Sequence, residues 1–219
     1  MRKRGIPAVA IERLPRYYRF FHSLKGKREK ISSQELAEEL RTSASQVRLD
    51  LSYFGGFGRQ GYGYRVGAVC SRIGEILGIG TPQEYVIIGA GSLGRAIANS
   101  HVFQEAGFNL AGIFDIASER IGTNIGGKIV VHVDTLASFL TGTMVRLAII
   151  ATPAESAQGM ADVLSASGVQ GILNLAPVDI VPGDGIRIAN VNLTDKLLSL
   201  SWMIANRWEE NSGDPDGSL

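Results

Sequence analysis

Hydrophobic positions recur at helical spacing over the first third of the chain and as short unbroken runs over the rest. Residues 7–57 read as short helices. Pro15 is expected to open one of them at its first turn, where a missing N–H costs nothing, with Tyr18, Phe21 and Leu24 on one face. Ser32-Ser-Gln-Glu35 has the form of a capping box, and Leu36, Ala37 and Leu40 follow as its apolar stripe. Ser43-Ala-Ser-Gln46 forms a second box, behind which Val47, Leu51 and Phe54 recur at i, i+4 and i+7. Two capped helices joined by so short a turn predict a helix-turn-helix. Residues 55–64 then hold five glycines and three aromatics, which no regular helix survives; a tight hairpin with Arg59 at its tip is expected. Val66, Val69, Ile73 and Leu77 predict a linking helix, and Gly78-Ile-Gly-Thr-Pro82 a domain boundary.

From Tyr85 the pattern changes. Candidate strands are Tyr85–Ile88, Leu110–Phe114, Lys128–Val131, Leu147–Ala151, Ile172–Leu175 and Ile186–Ala189, with helical stretches between several of them. Continuous apolar strands alternating with helices predict a parallel sheet covered on both faces. Residues 195–208 form a last helix, apolar over more than one stripe and so expected to be buried on several sides. Residues 209–219 are a polar, flexible tail.

The 219 residues are 45% hydrophobic and 20% charged, which excludes a collagen-like, low-complexity or wholly disordered chain. The net charge of +1 conceals an asymmetry. Residues 1–80 carry 15 Lys/Arg against 7 Asp/Glu, whereas residues 81–219 carry 7 against 14. The asymmetry predicts a polyanion-binding module joined to one that is not. Cys70 is the single cysteine, so no disulfide framework exists within the chain and a reducing compartment fits. The apolar runs are too short to span a membrane, and the basic N-terminus has no apolar core behind it. A soluble cytoplasmic protein is expected.

Gly89-Ala-Gly-Ser-Leu-Gly94 follows a strand and opens a helix, the context a dinucleotide fingerprint requires. Gly89 permits the tight turn, Gly91 the approach of a pyrophosphate, and Gly94 close packing of helix on strand, while the helix N-terminus faces the phosphates. Asp115 ends the next strand, where its carboxylate can accept the ribose diol and repel a 2′-phosphate, favouring NAD over NADP. The competing readings are a glycine turn in a nucleotide-free α/β domain, or one holding coenzyme A. Acid–base groups are scarce. Residues 81–219 hold His101 near the end of the glycine-led helix, His132 at a strand end, Lys128, Lys196 and Tyr85, with no nucleophile triad, metal-ligand cluster or Tyr-x-x-x-Lys pair. The domain reads as built to bind NAD rather than turn it over.

In the basic module, Ser45, Gln46, Arg48, Leu49, Ser52 and Tyr53 lie off the apolar stripe of the second capped helix and can reach base edges or phosphates in a major groove. Arg59 suits a wing that enters a minor groove or holds phosphate. Arg2, Lys3, Arg4, Arg13 and Arg16 add backbone charge. Asp50 is out of place on a phosphate surface and is expected to pair internally. The plainer alternative is a solvated helix face beside a basic tail.

Over residues 6–205 the sequence resembles the Rex family of redox-sensing transcriptional repressors. The resemblance is carried by Ile6-Pro7, Arg13-Leu-Pro15, Tyr17-Tyr-Arg-Phe20, Ser33-Gln-Glu-Leu-Ala37, Gln46-Val-Arg48, Asp50-Leu-Ser-Tyr-Phe-Gly55, Gly61-Tyr-Gly-Tyr64, the glycine turn, Phe114-Asp115, Pro153-Ala-Glu-Ser-Ala-Gln158, Gly171-Ile-Leu-Asn-Leu-Ala-Pro177 and Asn190-Val-Asn-Leu193. It implies an α/β chain: a winged helix-turn-helix over 1–80, a Rossmann domain over 81–191, a dimerisation helix over 192–208 swapped into the partner, and the tail. It also implies a homodimer that holds a palindromic operator when free or with NAD⁺ and leaves it when NADH binds. NADH must then favour the off-DNA conformation. Residues expected at the nucleotide are Gly89, Ala90, Gly91, Ser92, Leu93, Gly94, Asp115, Thr152, Pro153 and Asn174. Those expected at DNA are Arg16, Ser33, Ser45, Gln46, Arg48, Leu49, Ser52, Tyr53, Arg59, Gln60 and Tyr62.

Three departures stand out. The family's redox network joins an arginine of the winged helix, a Rossmann tyrosine and an aspartate before the last helix. Here these positions are Arg19, Ser100 and Asn192, so the charged partner of Arg19 is missing. The reading helix has Arg48-Leu49-Asp50 where the family has Arg-Lys-Asp, and Leu49 cannot donate to base or phosphate. The wing's usual Lys-Arg is Arg59-Gln60. The leading expectation is an NADH-responsive repressor without catalytic residues or metal. The alternative is an NAD-dependent oxidoreductase with an appended basic module.

Overall fold

The computed structural model describes residues 6–55, 57–59, 63–181 and 183–205. The chain divides after Thr81 into two compact units.

In the first unit, α1 runs over Ala8–Leu24 with Pro7 as its N-cap, so Pro15 lies inside the helix rather than at its start. The reason is burial. Ala10, Leu14, Tyr17 and Phe21 form the inward stripe, and it begins upstream of Pro15. A proline inside a helix costs about 3 kcal/mol, and burying three large side chains at about 1.5–3 kcal/mol each outweighs that. The same stripe corrects the expected face: Tyr17, not Tyr18, is the buried tyrosine.

Helix α2 covers Ser33–Glu39, and its capping box is reciprocal: Ser32 Oγ accepts from the Glu35 amide and Glu35 accepts from the Ser32 amide. These bonds, with Arg28, hold the Glu35 carboxyl down at about 2. The helix closes on Arg41, whose φ of 48° is the only left-handed backbone among the described non-glycine residues. Thr42 N–H returns to Ala37 O at 2.9 Å and Arg41 N–H to Glu38 O at 3.2 Å, a Schellman closure. That turn delivers α3, Ala44–Phe54. Strands β1 (Lys30–Ile31), β2 (Gly58–Arg59) and β3 (Gly63–Arg65) form a small antiparallel sheet in the order β1-β3-β2, followed by α4 over Val66–Ile76. Phe21, Leu36, Val47, Leu51, Val66 and Ile73 are fully buried in the core of this unit, with Cys70 beside them. The helix-turn-helix with its β-hairpin wing is therefore present.

The second unit is a seven-stranded sheet of order β10-β9-β8-β4-β5-β7-β6. Its strands are β4 (Gln83–Ile88), β5 (Phe108–Asp115), β6 (Asn124–Ile125), β7 (Lys128–His132), β8 (Leu147–Ile150), β9 (Gly171–Asn174) and β10 (Arg187–Asn190). All six expected strands are present and parallel; the two-residue β6, not anticipated, adds an antiparallel edge. Helices α5 (Ser92–Ala98), α6 (His101–Glu105), α7 (Leu136–Thr141) and α8 (Ala154–Ala166) connect the strands. The glycine-led helix is thus shorter than expected, and His101 begins a separate one. The sheet order reverses beside β4, the switch point at which open α/β sheets bind ligands.

The last helix, α9, spans Leu193–Ala205, and Trp208 and the tail lie outside the described residues. The expectation of burial on several sides fails within one chain. No residue of α9 is buried, and Leu197 and Ile204 are 67% and 72% exposed. An exposed apolar surface of this kind marks an interaction face.

Candidate functional site

The carboxyl ends of β4, β5, β8 and β9 surround a cleft of about 490 Å³. Gly89, Gly91 and Leu93 form one wall, Asp115, Ala117 and Arg120 another, and Thr152, Pro153 and Met160 a third. The three glycines have distinct physical tasks. Gly89 has φ +102°, and a Cβ there would meet Ala151 O at 2.4 Å; one at Gly94 would meet Gly89 O at 1.9 Å. Both are required by the turn itself. Gly91 differs, because the nearest atom to its notional Cβ is Arg120 Nη1 at 3.9 Å. The space over Gly91 is open, as a cradle for a pyrophosphate must be.

The cleft also contains an orphan: Thr152 Oγ1 is buried without a hydrogen-bond partner among the described residues. Such a group costs about 1–3 kcal/mol unless something bonds to it, and a dinucleotide in the cleft would supply polar atoms at that depth. With a size suited to a drug-sized ligand, an open glycine and an unsatisfied hydroxyl, the residues fit an adenine dinucleotide.

Asp115 is 5% exposed. Its Oδ2 accepts from Ala90 N–H at 2.6 Å and its Oδ1 from Ala117 N–H at 2.8 Å. Arg120 Nη1 lies 3.2 Å from Oδ2. Burial pushes its carboxyl up, but the two backbone donors and the guanidinium prevail and hold it below the usual carboxylate range. Asp115 thereby fastens the glycine turn to the end of β5. Arg120 escaped the reading of the sequence; the signal was a cation five residues beyond the strand-end acid.

Of the other expected nucleotide residues, Ser92 and Leu93 begin α5, and Pro153 caps α8. Asn174 is fully buried and bonded within the protein: Nδ2 donates to Val178 O and Asn190 Oδ1, and Oδ1 accepts from Ala176 N–H. It shapes the loop after β9, bringing Leu175 and Pro177 to the cleft, and does not line the cleft itself.

On α3, Ser45, Arg48, Leu49 and Ser52 share one exposed face at helical spacing. Arg48 Nη1 donates to Ser33 Oγ at 2.9 Å, which joins the two helices of the motif at this face. Ser45 Oγ pairs with Ser43 Oγ, and Ser52 Oγ donates to Leu49 O. Leu49 is 49% exposed, an apolar contact among polar ones. Gln46 is turned inward. Ser43 caps the helix through the Gln46 amide, but the Gln46 side chain donates to Asp50 Oδ1 at 2.7 Å instead of closing the expected second box. Tyr53 is half-buried against the core.

Asp50 itself is fully buried, and pairs internally as expected. Arg13 grips it through Nε and Nη2, both at 2.7 Å, and Tyr17 OH donates at 2.9 Å. Burial raises its carboxyl, and the donors from Arg13, Tyr17 and Gln46 more than reverse this, leaving it below the ordinary value. Burial and the same hydrogen bond push Tyr17 well upward. Arg13, expected to contribute charge along a DNA backbone, is thus committed to α3. Arg16 donates from Nη2 to Leu40 O at 2.5 Å. Arg59 ends β2, opposite Gly63; Arg2, Lys3, Arg4, Gln60 and Tyr62 lie outside the described residues.

The three network positions are distinct. Arg19 is exposed on α1, and Ser100 is the N-cap residue of α6 without a side-chain cap bond. Asn192 Oδ1 accepts from Thr194 N–H at 3.0 Å, so it caps the start of α9. Among the described residues, no cluster of His, Cys, Asp and Glu could hold a metal ion, and no helix is long and apolar enough to cross a membrane.

Residues 5–52 match the family model of a putative DNA-binding protein N-terminus, and residues 81–178 that of a CoA binding domain. The chain is 40% identical over 210 residues to the redox-sensing transcriptional repressor Rex of Clostridium tetani, covering 95% of this chain and 99% of that one. Its structure is similar to that of RSP in complex with beta-NAD+ and operator DNA, with TM-score 0.88, 40% identity, and 93% and 94% of the two chains covered. It is also similar to RSP in complex with beta-NADH, with TM-score 0.84, 37% identity and coverage of 92% and 95%.

Proposed function

This chain belongs to the Rex family of redox-sensing transcriptional repressors, and from that premise we propose that it is an NAD(H)-responsive, DNA-binding repressor rather than an oxidoreductase. The observation that carries the reading is the pairing, in one chain, of a capped helix-turn-helix exposing Arg48 with a switch-point cleft that exposes Gly91 but offers no acid–base group for hydride transfer. Its described lining brings a carboxylate already bonded to two amides, a guanidinium, the Thr152 hydroxyl and the Ser156 hydroxyl, which donates to Pro153 O. None of these is poised to exchange a proton with a substrate. What the residues can do is bind: Gly91 leaves room for phosphates, Asp115 fixes the turn, and Thr152 offers a hydroxyl.

The chain works as a homodimer that holds a palindromic operator through α3, Arg48 and the wing, and acts in the cytoplasm. Support for the dimer comes from α9, on which Leu197, Leu198 and Ile204 are exposed among the described residues. Ser33, Ser45, Arg48, Leu49 and Ser52 form the reading face, with Arg16, Arg59, Gln60 and Tyr62 at the backbone and wing. Gln46 and Tyr53 support the helix from within. The domains run 1–80, 81–191 and 192–208, followed by the tail over 209–219.

Regulation follows from linkage: a reduced dinucleotide that favours the off-DNA form lowers operator affinity by the same factor that DNA lowers its own. With Asn192 spent on capping α9 and Ser100 in place of a tyrosine, Arg19 lacks the family's carboxylate partner, and the NADH response is weaker than in relatives that keep it. Fluorescence anisotropy with a palindromic operator tests the reading. Binding that NADH reverses supports it, and no binding under any nucleotide condition refutes it.

A further inference from the structure

Ser45, Arg48, Leu49 and Ser52 make up the exposed face of α3, and one of them is not a hydrogen-bonding group. The helix buries Val47, Leu51 and Phe54 but leaves Leu49 49% exposed. Its neighbours along the helix axis make it project. The residues four before and three after it are Ser45 and Ser52, whose side chains are too short to cover an isobutyl group. Their hydroxyls are also turned to the helix itself. Ser52 Oγ donates its one hydrogen to Leu49 O at 2.7 Å, and Ser45 Oγ pairs with Ser43 Oγ at 2.9 Å.

Arg48 lies one step round the helix. Among the described residues it bonds to Ser33 Oγ through Nη1, which leaves Nε and Nη2 of its fork for a further acceptor. Donor capacity on this face is thus concentrated at Arg48, and the stripe beside it presents hydrocarbon.

The base edges of a major groove offer one apolar group, the C5-methyl of thymine; the other three bases present acceptors and amino donors there. A leucine pressed against such a polar edge strips its water and returns no hydrogen bond. Against a methyl group, both apolar surfaces leave water together. A lone exposed leucine on an ordinary surface needs no explanation. On the face that α3 turns to a groove, it discriminates between bases.

We propose that Leu49 is a specificity-determining residue that packs on the C5-methyl group of a thymine in each half-site of the operator. The inference rests on the DNA-binding reading above, and adds to it which base one residue of the reading face selects.

The test starts from a duplex that the unaltered full-length protein selects from a randomised library. Each thymine of the half-site is replaced in both halves by deoxyuridine, which removes the methyl group and keeps every hydrogen-bonding atom. Affinities are then measured by fluorescence anisotropy. Burying one methyl group is worth about fourfold per half-site, so the expected result is one thymine whose double replacement weakens binding about fifteenfold. In Leu49→Ala the same replacement should cost less than about twofold, and Leu49→Met, which keeps an apolar side chain of similar length, should retain most of the penalty. Uracil penalties equal in Leu49→Ala and the unaltered protein at every position overturn the proposal, as does a half-site in which no thymine shows a penalty. Failure of the unaltered protein to enrich any duplex would refute the DNA-binding reading itself, and the inference with it.

Discussion

Replacing Asp50 by asparagine tests the anchoring of the reading helix. The substitution preserves shape but removes a charge that is fully buried and accepts four hydrogen bonds: two from Arg13, one from Tyr17 and one from Gln46. Asparagine retains one acceptor oxygen. With that oxygen toward Tyr17 and Arg13 Nε, its amino group opposes Arg13 Nη2 and Gln46 Nε2. Gln46 can rotate to present its own oxygen, and Arg13, 35% exposed, can turn one nitrogen to water. The loss is then mainly charge assistance. Bonds to a charged group contribute about 1.5–3 kcal/mol and neutral ones about 0.5–1.5, and solvent screening discounts the Arg13 end, so the expected destabilisation is about 2 kcal/mol. Native-state hydrogen exchange of the α3 amides reads this unit separately from the other. The sign with pH is fixed as well. A carboxyl held below its unfolded value adds stability that is present above the unfolded value of about 4 and lost as pH falls through the folded one. The gap between the unaltered protein and the Asp50→Asn variant should therefore close in acid. A loss under about 0.5 kcal/mol, or a gap independent of pH, would show that Arg13, Tyr17 and Gln46 do not depend on the charge.

Arg48→Ala should weaken operator binding by about 1–3 kcal/mol if the guanidinium contacts a guanine, and an unchanged dissociation constant would remove Arg48 from the reading face. Gly91→Val should abolish NADH binding with little change in melting temperature, because a Cβ at Gly91 has only Arg120 Nη1 within 4 Å and the added bulk lies in the cleft. A variant that still binds NADH would mean that the phosphates lie elsewhere. Gly94→Ala, by contrast, drives a methyl group into Gly89 O and should destabilise the nucleotide unit itself, which circular dichroism on heating will register.

Much of this was legible from residue pattern because each signal was local. The six parallel strands announced themselves as apolar runs, the first capping box as serine and glutamate three apart, and the nucleotide turn as glycines between strand and helix. What escaped was decided by tertiary contact. Pro15 reads as a helix start until Leu14, Tyr17 and Phe21 are known to share a core. Gln46 reads as a base reader and the end of a capping box until Asp50, one turn further on, is found to take its amide. Asn174 reads as a ligand until Val178, Ala176 and Asn190 are seen to use all of its polar atoms. Two-residue β6 is too short for any periodicity. Helix α9 reads as buried from its several apolar stripes, yet none of its residues is buried among the described residues.

The claim at the centre of this account is that the nucleotide cleft governs the DNA-reading helix through the oxidation state of its ligand. Operator occupancy measured by anisotropy while the NADH/NAD⁺ ratio is raised at constant total dinucleotide tests it most directly. The account predicts that occupancy falls as the ratio rises, and that Gly91→Val protein, unable to bind NADH, remains on the operator throughout. Occupancy independent of the ratio, with both dinucleotides shown to bind, would contradict it.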